Sequence, residues 1–201
     1  WPWKGQWIKA VDEVSFRLQA SESLGIVGSS GCGKSTLCRA LMGLIPIRGG
    51  EVKLTGKNLL LLKGQSLKDA RKLLQMVFQD PLACLNPKMT VGEAIADPIL
   101  IHNLESKGRA FEKTRELLQE VGLTPPEFYQ NRFPWQLSGG QQQRVAIARA
   151  LSLSPKVLIC DESLSMIDAE IQAEILLLLR SLQRKLRLAI LFVTHDLFLA
   201  K

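Results

Sequence analysis

The run Gly28-Ser29-Ser30-Gly31-Cys32-Gly33-Lys34-Ser35-Thr36 narrows the possible folds of this chain more than any other stretch. It follows a short apolar stretch, Leu24-Gly25-Ile26-Val27. It precedes Leu37, Ala40, Leu41 and Leu44, which recur at helical spacing and stop before Pro46. A strand, a glycine-rich turn and a helix in this order form the frame in which Gly-x-x-x-x-Gly-Lys-Ser cradles phosphates. Glycines at 28, 31 and 33 let the backbone curl so that its N–H groups face phosphate oxygens, and the helix N-terminus adds positive field. Lys34 is expected to reach the β- and γ-phosphates, Ser35 to place its hydroxyl on Mg²⁺, and Thr36 to serve the α-phosphate side.

Strand and helix signals alternate along the rest of the chain. Residues 14–18 alternate apolar and polar, as in a half-buried strand, and 51–55 read as another strand. Met76-Val77-Phe78 reads as a strand that ends in a turn at Pro81. From about 81 the texture turns helical, with Val91–Ile101 and 105–121 as helices and with Pro125, Pro126 and Pro134 as punctuation. Then follow a helix over 140–151, a strand over 157–160, a helix over Ala169–Leu186 and a strand over Ala189–Thr194. This alternation predicts an α/β fold: a mainly parallel sheet covered on both faces, an N-terminal antiparallel β portion and a helical insertion.

Three further segments carry chemistry. Asp161 and Glu162 end the apolar stretch Val157-Leu-Ile-Cys160, at the strand end where ligands bind in open α/β sheets. Asp161 is expected to hold Mg²⁺ through water. Glu162, one peptide further, faces another side and suits a general base toward an attacking water. Gln79 follows the strand at 76–78, where its amide can bind Mg²⁺ or orient water. His195 ends the last strand and can donate to the γ-phosphate. In Leu137-Ser138-Gly139-Gly140-Gln141, Ser138 suits an N-cap and the two glycines expose the free N–H groups of the next helix. That makes a second anion site beside a single phosphate loop, and a second subunit's γ-phosphate accounts for it.

Bulk properties exclude several classes. The chain has 201 residues, 46% hydrophobic and 22% charged, enough for one folded domain and unlike a disordered segment. Its longest aliphatic run, 175–179, falls far short of the roughly 20 residues that span a bilayer. The net charge of +7 is scattered, with no interleaving of basic and aromatic residues, so no nucleic acid is expected as partner. The four cysteines lack paired spacing, which points to small buried thiols in a reducing cytoplasm rather than to disulfides or zinc. The chain starts at Trp1, has no basic-then-apolar leader, and reads as truncated at both ends.

In this order the phosphate loop, the Leu137–Gln141 string and the 161–162 acid pair resemble the nucleotide-binding domain of ABC transporters, over essentially the whole chain. The resemblance implies one two-lobed P-loop ATPase domain over 1–201, with a core lobe at about 1–80 and 150–201 and a helical lobe at about 81–149. It implies head-to-tail dimers with ATP held between the phosphate loop of one chain and 137–141 of the other. Asp168 matches the loop that crosses that interface, and either Trp3 or Trp7 matches the aromatic that stacks on adenine.

Phe78-Gln-Asp-Pro-Leu82, Leu85-Asn-Pro87, 90–95 and Phe133-Pro-Trp-Gln-Leu-Ser138 are similar to the oligopeptide, dipeptide and nickel importer branch. That branch implies ATP-driven uptake of peptides or nickel complexes at the cytoplasmic face of the bacterial inner membrane. Its partners would be transmembrane permease subunits, a second ATPase subunit and, indirectly, a solute-binding protein. ABC exporters, lipoprotein-release ATPases, and soluble DNA-repair or translation ATPases share the motifs and are the alternatives. Between Thr36 and Leu137, however, the chain carries neither heptads nor paired cysteines, which counts against the DNA-repair class. Ser163 replaces a customary Pro, and Met166-Ile167 replace a small residue and Leu.

Overall fold

The computed structural model describes residues 9–164 and 167–196; Trp3 and Trp7 lie outside them. Four parallel strands form the central sheet in the order β1-β6-β5-β4: β1 (Ser23–Val27), β6 (Ala189–Thr194), β5 (Val157–Asp161) and β4 (Leu74–Val77). The last-made strand therefore lies between the strand that feeds the phosphate loop and the strand that ends in the acids. Cα partners run Val27 with Thr194, Asp161 with Val193 and Val77 with Cys160, so all four strands end at one edge.

The helices are α1 (Lys34–Leu41), α2 (Gly64–Leu73), α3 (Val91–Ile101), α4 (Lys107–Glu120), α5 (Pro126–Gln130), α6 (Gly139–Leu151) and α7 (Ala169–Leu186). A short antiparallel pair, β2 (Lys53–Leu54) and β3 (Lys57–Asn58), completes the described structure.

Period-two alternation places the core on both faces of the sheet. Leu158, Cys160, Ile190 and Phe192 face a large cluster that continues through Ile95, Leu118, Val145, Ile147, Ile175 and Leu179. Ile159, Leu191 and Val193 face the other way, onto Cys38 of α1 with Leu54, Leu59 and Met76. All six residues of β6 are buried, as a central parallel strand requires. The helices between β4 and β5 thus share one apolar cluster with the sheet.

Two local expectations need correction. Residues 14–18 form no strand among the described residues. Val14 and Phe16 are 52% and 38% exposed: their alternation finds no covering layer and no edge to pair with. The antiparallel portion is the two-residue pair β2–β3, shorter than the strand expected at 51–55. Helix α2, for which no helix was expected, buries no residue fully; its Ala70 and Leu73, three apart, pack partly buried against the cluster of Cys38, Leu54, Leu59 and Met76.

Gln143 of α6 is fully buried, and among the described residues neither polar atom of its side-chain amide has a hydrogen-bond partner. An unsatisfied buried polar group costs about 1–3 kcal/mol. Gln143→Met keeps the unbranched shape and removes the amide, and is expected to raise the unfolding free energy by about 1 kcal/mol or more in a urea titration. A lower free energy would contradict this.

Candidate functional site

The phosphate loop takes its shape from two left-handed glycines, Gly31 at φ 80 and Gly33 at φ 101. At Gly33 a side chain is also sterically excluded: a Cβ would lie 2.1 Å from the Ala10 carbonyl oxygen. Gly33 is the N-cap of α1 and offers no side-chain cap, so the first N–H groups of α1 are left for an anion.

Lys34 follows, only 7% exposed. Its Nζ donates to the carbonyl oxygens of Gly28 at 2.7 Å and Ser29 at 2.9 Å, and lies 3.3 Å from Glu162 Oε1. Ser35 Oγ donates to Asp161 Oδ1 at 3.0 Å. Because β6 lies between β1 and β5, His195 emerges beside both, with Nδ1 3.7 Å from Glu162 Oε2. That contact is an ion pair only when His195 is protonated.

Glu162 turns with φ 44, and its N–H donates to the Val193 carbonyl at 2.8 Å. The turn sends its carboxylate away from that of Asp161, toward Lys34 and His195. Gln79, exposed, lies two residues past β4 on the same sheet edge. The structure thus brings Lys34, Ser35, Asp161, Glu162 and His195 together and leaves Gln79 at the β4 end of that edge.

Ser35 and Asp161 present only hard oxygen donors, the kind Mg²⁺ takes while keeping several waters, so the pair fits that ion. Asp161 is 6% exposed, and burial pushes its carboxyl above the usual range, partly offset by the Ser35 hydroxyl. A raised carboxyl pKa adds stability below the unfolded value, near 3.8, and that contribution is lost as pH rises through the folded value. At pH 7 the buried charge is a liability. Asp161→Asn keeps an acceptor for Ser35 and is expected to raise the melting temperature of the nucleotide-free protein at pH 7. The gap from wild type closes as pH falls toward 4 (the ordinary aspartate value). A gap that does not change with pH would contradict the assignment.

Leu137–Gln141 sits on a separate element. Ser138 N-caps α6 in a reciprocal capping box: Oγ accepts from Gln141 N–H at 3.4 Å, and Gln141 Oε1 accepts from Ser138 N–H at 3.0 Å. The Gln141 side chain is therefore used within the cap. Leu137 is 7% exposed and anchors the segment in the large core. Gly140 packs on α7 so closely that a Cβ would lie 2.6 Å from Ile171 Cγ2, whereas Gly139 faces open space. Among the described residues, no hydrogen bond or ion pair joins 28–36 to 137–141. Asp168 is exposed at the start of α7 and makes no side-chain capping bond.

The cysteines do not form one class, contrary to the expectation of small buried thiols. Cys38 and Cys160 are buried, and burial pushes both thiols up to about 12. Cys84 is half-buried, and Cys32 in the phosphate loop is exposed.

Sequence reasoning missed two polar side chains that tie the site's supports together. Arg144 of α6 donates to the Val121 carbonyl at 2.8 Å and pairs with Glu174 of α7 at 2.8 Å. Gln172 of α7 donates to the Leu164 and Ile167 carbonyls at 2.9 and 2.8 Å. On a helix either residue reads as surface polarity; only the positions of Arg144 and Gln172 one turn from Gly140 and Asp168 hinted otherwise.

The family model described as "ABC transporter" matches residues 11–165. The oligopeptide transport ATP-binding protein OppF of Haemophilus influenzae is 48% identical over 98% of this chain and 59% of its own length. OppF of Escherichia coli is 47% identical over 100% of this chain and 60% of its length. The glutathione import ATP-binding protein GsiA of Pectobacterium atrosepticum is 46% identical over 94% of this chain and 30% of its length. The chain thus spans about 60% of the length of the oligopeptide-transport relatives it matches. Among solved structures, a dimeric post-hydrolysis state of the ATP-binding cassette MJ0796 bound to ADP and Pi superposes with a TM-score of 0.83. It is 31% identical and covers 95% of this chain and 82% of that one. The chain belongs to the ABC transporter family, on the branch that holds the oligopeptide transport ATP-binding proteins.

Proposed function

We propose that this chain is the ATP-hydrolysing subunit of a peptide importer, peripheral on the cytoplasmic face of the cell membrane. One observation carries the chemistry: Lys34 lies 3.3 Å from Glu162 and Ser35 3.0 Å from Asp161, side by side at the carboxyl end of a parallel sheet, over a glycine loop that opens a helix. In the nucleotide-free chain, the Lys34 ammonium is satisfied by two loop carbonyls and Glu162. Phosphate oxygens of ATP would replace these partners, and residues 28–36 would wrap the triphosphate.

Ser35 and Asp161, with Gln79, would hold Mg²⁺, which when bound would supply positive charge against the β- and γ-phosphates. Released from Lys34, Glu162 accepts a proton from the attacking water, and His195 donates to the γ-phosphate. Ser138, Gly139 and Gly140, with Leu137 and Gln141 supporting the cap, face a second subunit's ATP, and Asp168 lies at that interface. Trp3 or Trp7 remains the proposed adenine stack.

The helical lobe, about 81–149, would pass the closing motion from a core lobe at about 1–80 and 150–201 to permease subunits. Two points support the transport reading. Relatives of this branch carry oligopeptide transport and glutathione import in their names. No helix of the described residues is long and apolar enough to cross a membrane, and the solved cassette that superposes with a TM-score of 0.83 is a dimer, as the reading requires of this chain.

The test is purification of the full-length protein from its own membranes, with ATPase assayed against added peptides and the solute-binding protein. Co-purification with permease subunits and peptide-stimulated turnover are expected. Co-purification with DNA or ribosomes, and turnover indifferent to peptide, would overturn the transport reading.

A further inference from the structure

The segment from Glu162 to Asp168 carries a carboxylate of the site at one end and an exposed acid at the other. Its start is pinned, because the Glu162 N–H donates to the Val193 carbonyl at 2.8 Å. Its end is not pinned by its own cap, because Asp168 starts α7 without a side-chain capping bond. The side chain of Gln172 bridges the described residues on either side of 165–166. Its amide nitrogen donates to the Leu164 carbonyl at 2.9 Å and to the Ile167 carbonyl at 2.8 Å.

A primary amide has two N–H donors, enough for the Leu164 and Ile167 carbonyls together. The Ile167 N–H also donates to the Leu164 carbonyl at 3.3 Å. The Leu164 side chain is 1% exposed in the main core, so Leu164 is anchored on its inner side as well. Ser165 and Met166 lie outside the described residues; the flanking carbonyls alone define the clamp.

The geometry points to Gln172 as a positioning residue for ATP turnover. Its amide fixes the segment so that Glu162 and Asp168 hold one register, the first toward the attacking water and the second toward the neighbouring subunit. This rests on Glu162 being the base proposed above. Few side chains can take the place of Gln172. Glutamate has the same length but turns only acceptors toward two carbonyls. Leucine fills the space with no donor. Lysine brings donors back on a longer stem, and its ammonium can satisfy both oxygens. A base displaced by about 1 Å loses on the order of 100-fold in rate, whereas ATP contacts through 28–36 do not pass through the clamp.

The experiment measures phosphate release and binding of a fluorescently labelled ATP on the full-length protein with its co-purifying subunits, for wild type, Gln172→Glu, Gln172→Leu and Gln172→Lys, with Glu162→Gln alongside. Turnover at saturating ATP is expected to fall about 10- to 100-fold in the glutamate variant, less in the leucine variant, and to recover in part with lysine, while nucleotide affinity stays within about threefold. Glutamate and leucine variants with wild-type turnover would overturn the clamp, and so would turnover and affinity falling together with no recovery by lysine. If the glutamate variant does not fold, the leucine and lysine pair decides alone. If Glu162→Gln keeps full turnover, the base assignment fails and the clamp with it. A silent Gln172 series beside a dead Glu162→Gln removes the clamp only.

Discussion

Glu162→Gln is expected to lower ATP turnover by about 10²–10⁴-fold while ATP still binds. The amide matches the carboxylate in shape, so the turn at φ 44 and the N–H bond to Val193 survive. What is lost is the capacity to take a proton from water. A second effect comes from Lys34, whose ammonium lies 3.3 Å from the Glu162 carboxylate, so that carboxylate would compete with an incoming phosphate for it. Removing that charge frees the ammonium, so ATP affinity should hold or rise. Phosphate release and equilibrium nucleotide binding, measured on the same preparation, separate the two effects. Turnover near wild type would remove Glu162 from the reaction. Affinity falling in parallel with turnover would mean that the substitution damaged the loop.

Ser138→Arg should be nearly as damaging, for a different reason. Ser138 lies on α6, and no hydrogen bond or ion pair links its segment to the phosphate loop of its own chain among the described residues. A single chain's ATP should therefore not feel the change directly, and nucleotide affinity is expected to stay within about threefold. Hydrolysis is expected to fall about 100-fold or more. The arginine would remove the short capping hydroxyl and fill the space over Gly139 with a large side chain, where a second subunit's γ-phosphate would sit. Loss of the cap alone costs about 1 kcal/mol of stability. Ser138→Asn keeps a capping side chain and controls for that loss, with melting temperature as the readout. A Ser138→Arg protein that hydrolyses ATP normally would contradict a shared site.

Legibility in the sequence followed burial. The bounds of α3, α7 and β6 follow from runs such as Val91, Ile95 and Ile99 or Ile175, Leu179 and Leu182, which are apolar because they are buried. The meeting of Lys34 with Glu162 and of Ser35 with Asp161 was legible because each residue sits where a strand ends or a helix starts. The strand expected at 14–18 failed because alternation signals a face to bury, and nothing covers Val14 or Phe16. Helix α2 was hard to read because its inner side is marked only by Leu67, Ala70 and Leu73 in a mainly polar segment, and none of its residues is fully buried. The strand order β1-β6-β5-β4, which sets His195 beside Glu162, arises from crossovers that no local pattern encodes. Gln172 was hidden for the same reason: its partners are two backbone carbonyls, and backbone leaves no trace in residue type.

The central claim is that this chain supplies two halves of different ATP sites, and mass in solution tests it most directly. Light scattering of the full-length Glu162→Gln protein, together with any cassette subunit that co-purifies with it, should show a two-cassette particle in ATP and Mg²⁺. The particle should separate when ATP is removed or Ser138→Arg is added. A particle that binds ATP yet holds one cassette, or stays paired regardless of ATP and Ser138, would contradict the claim.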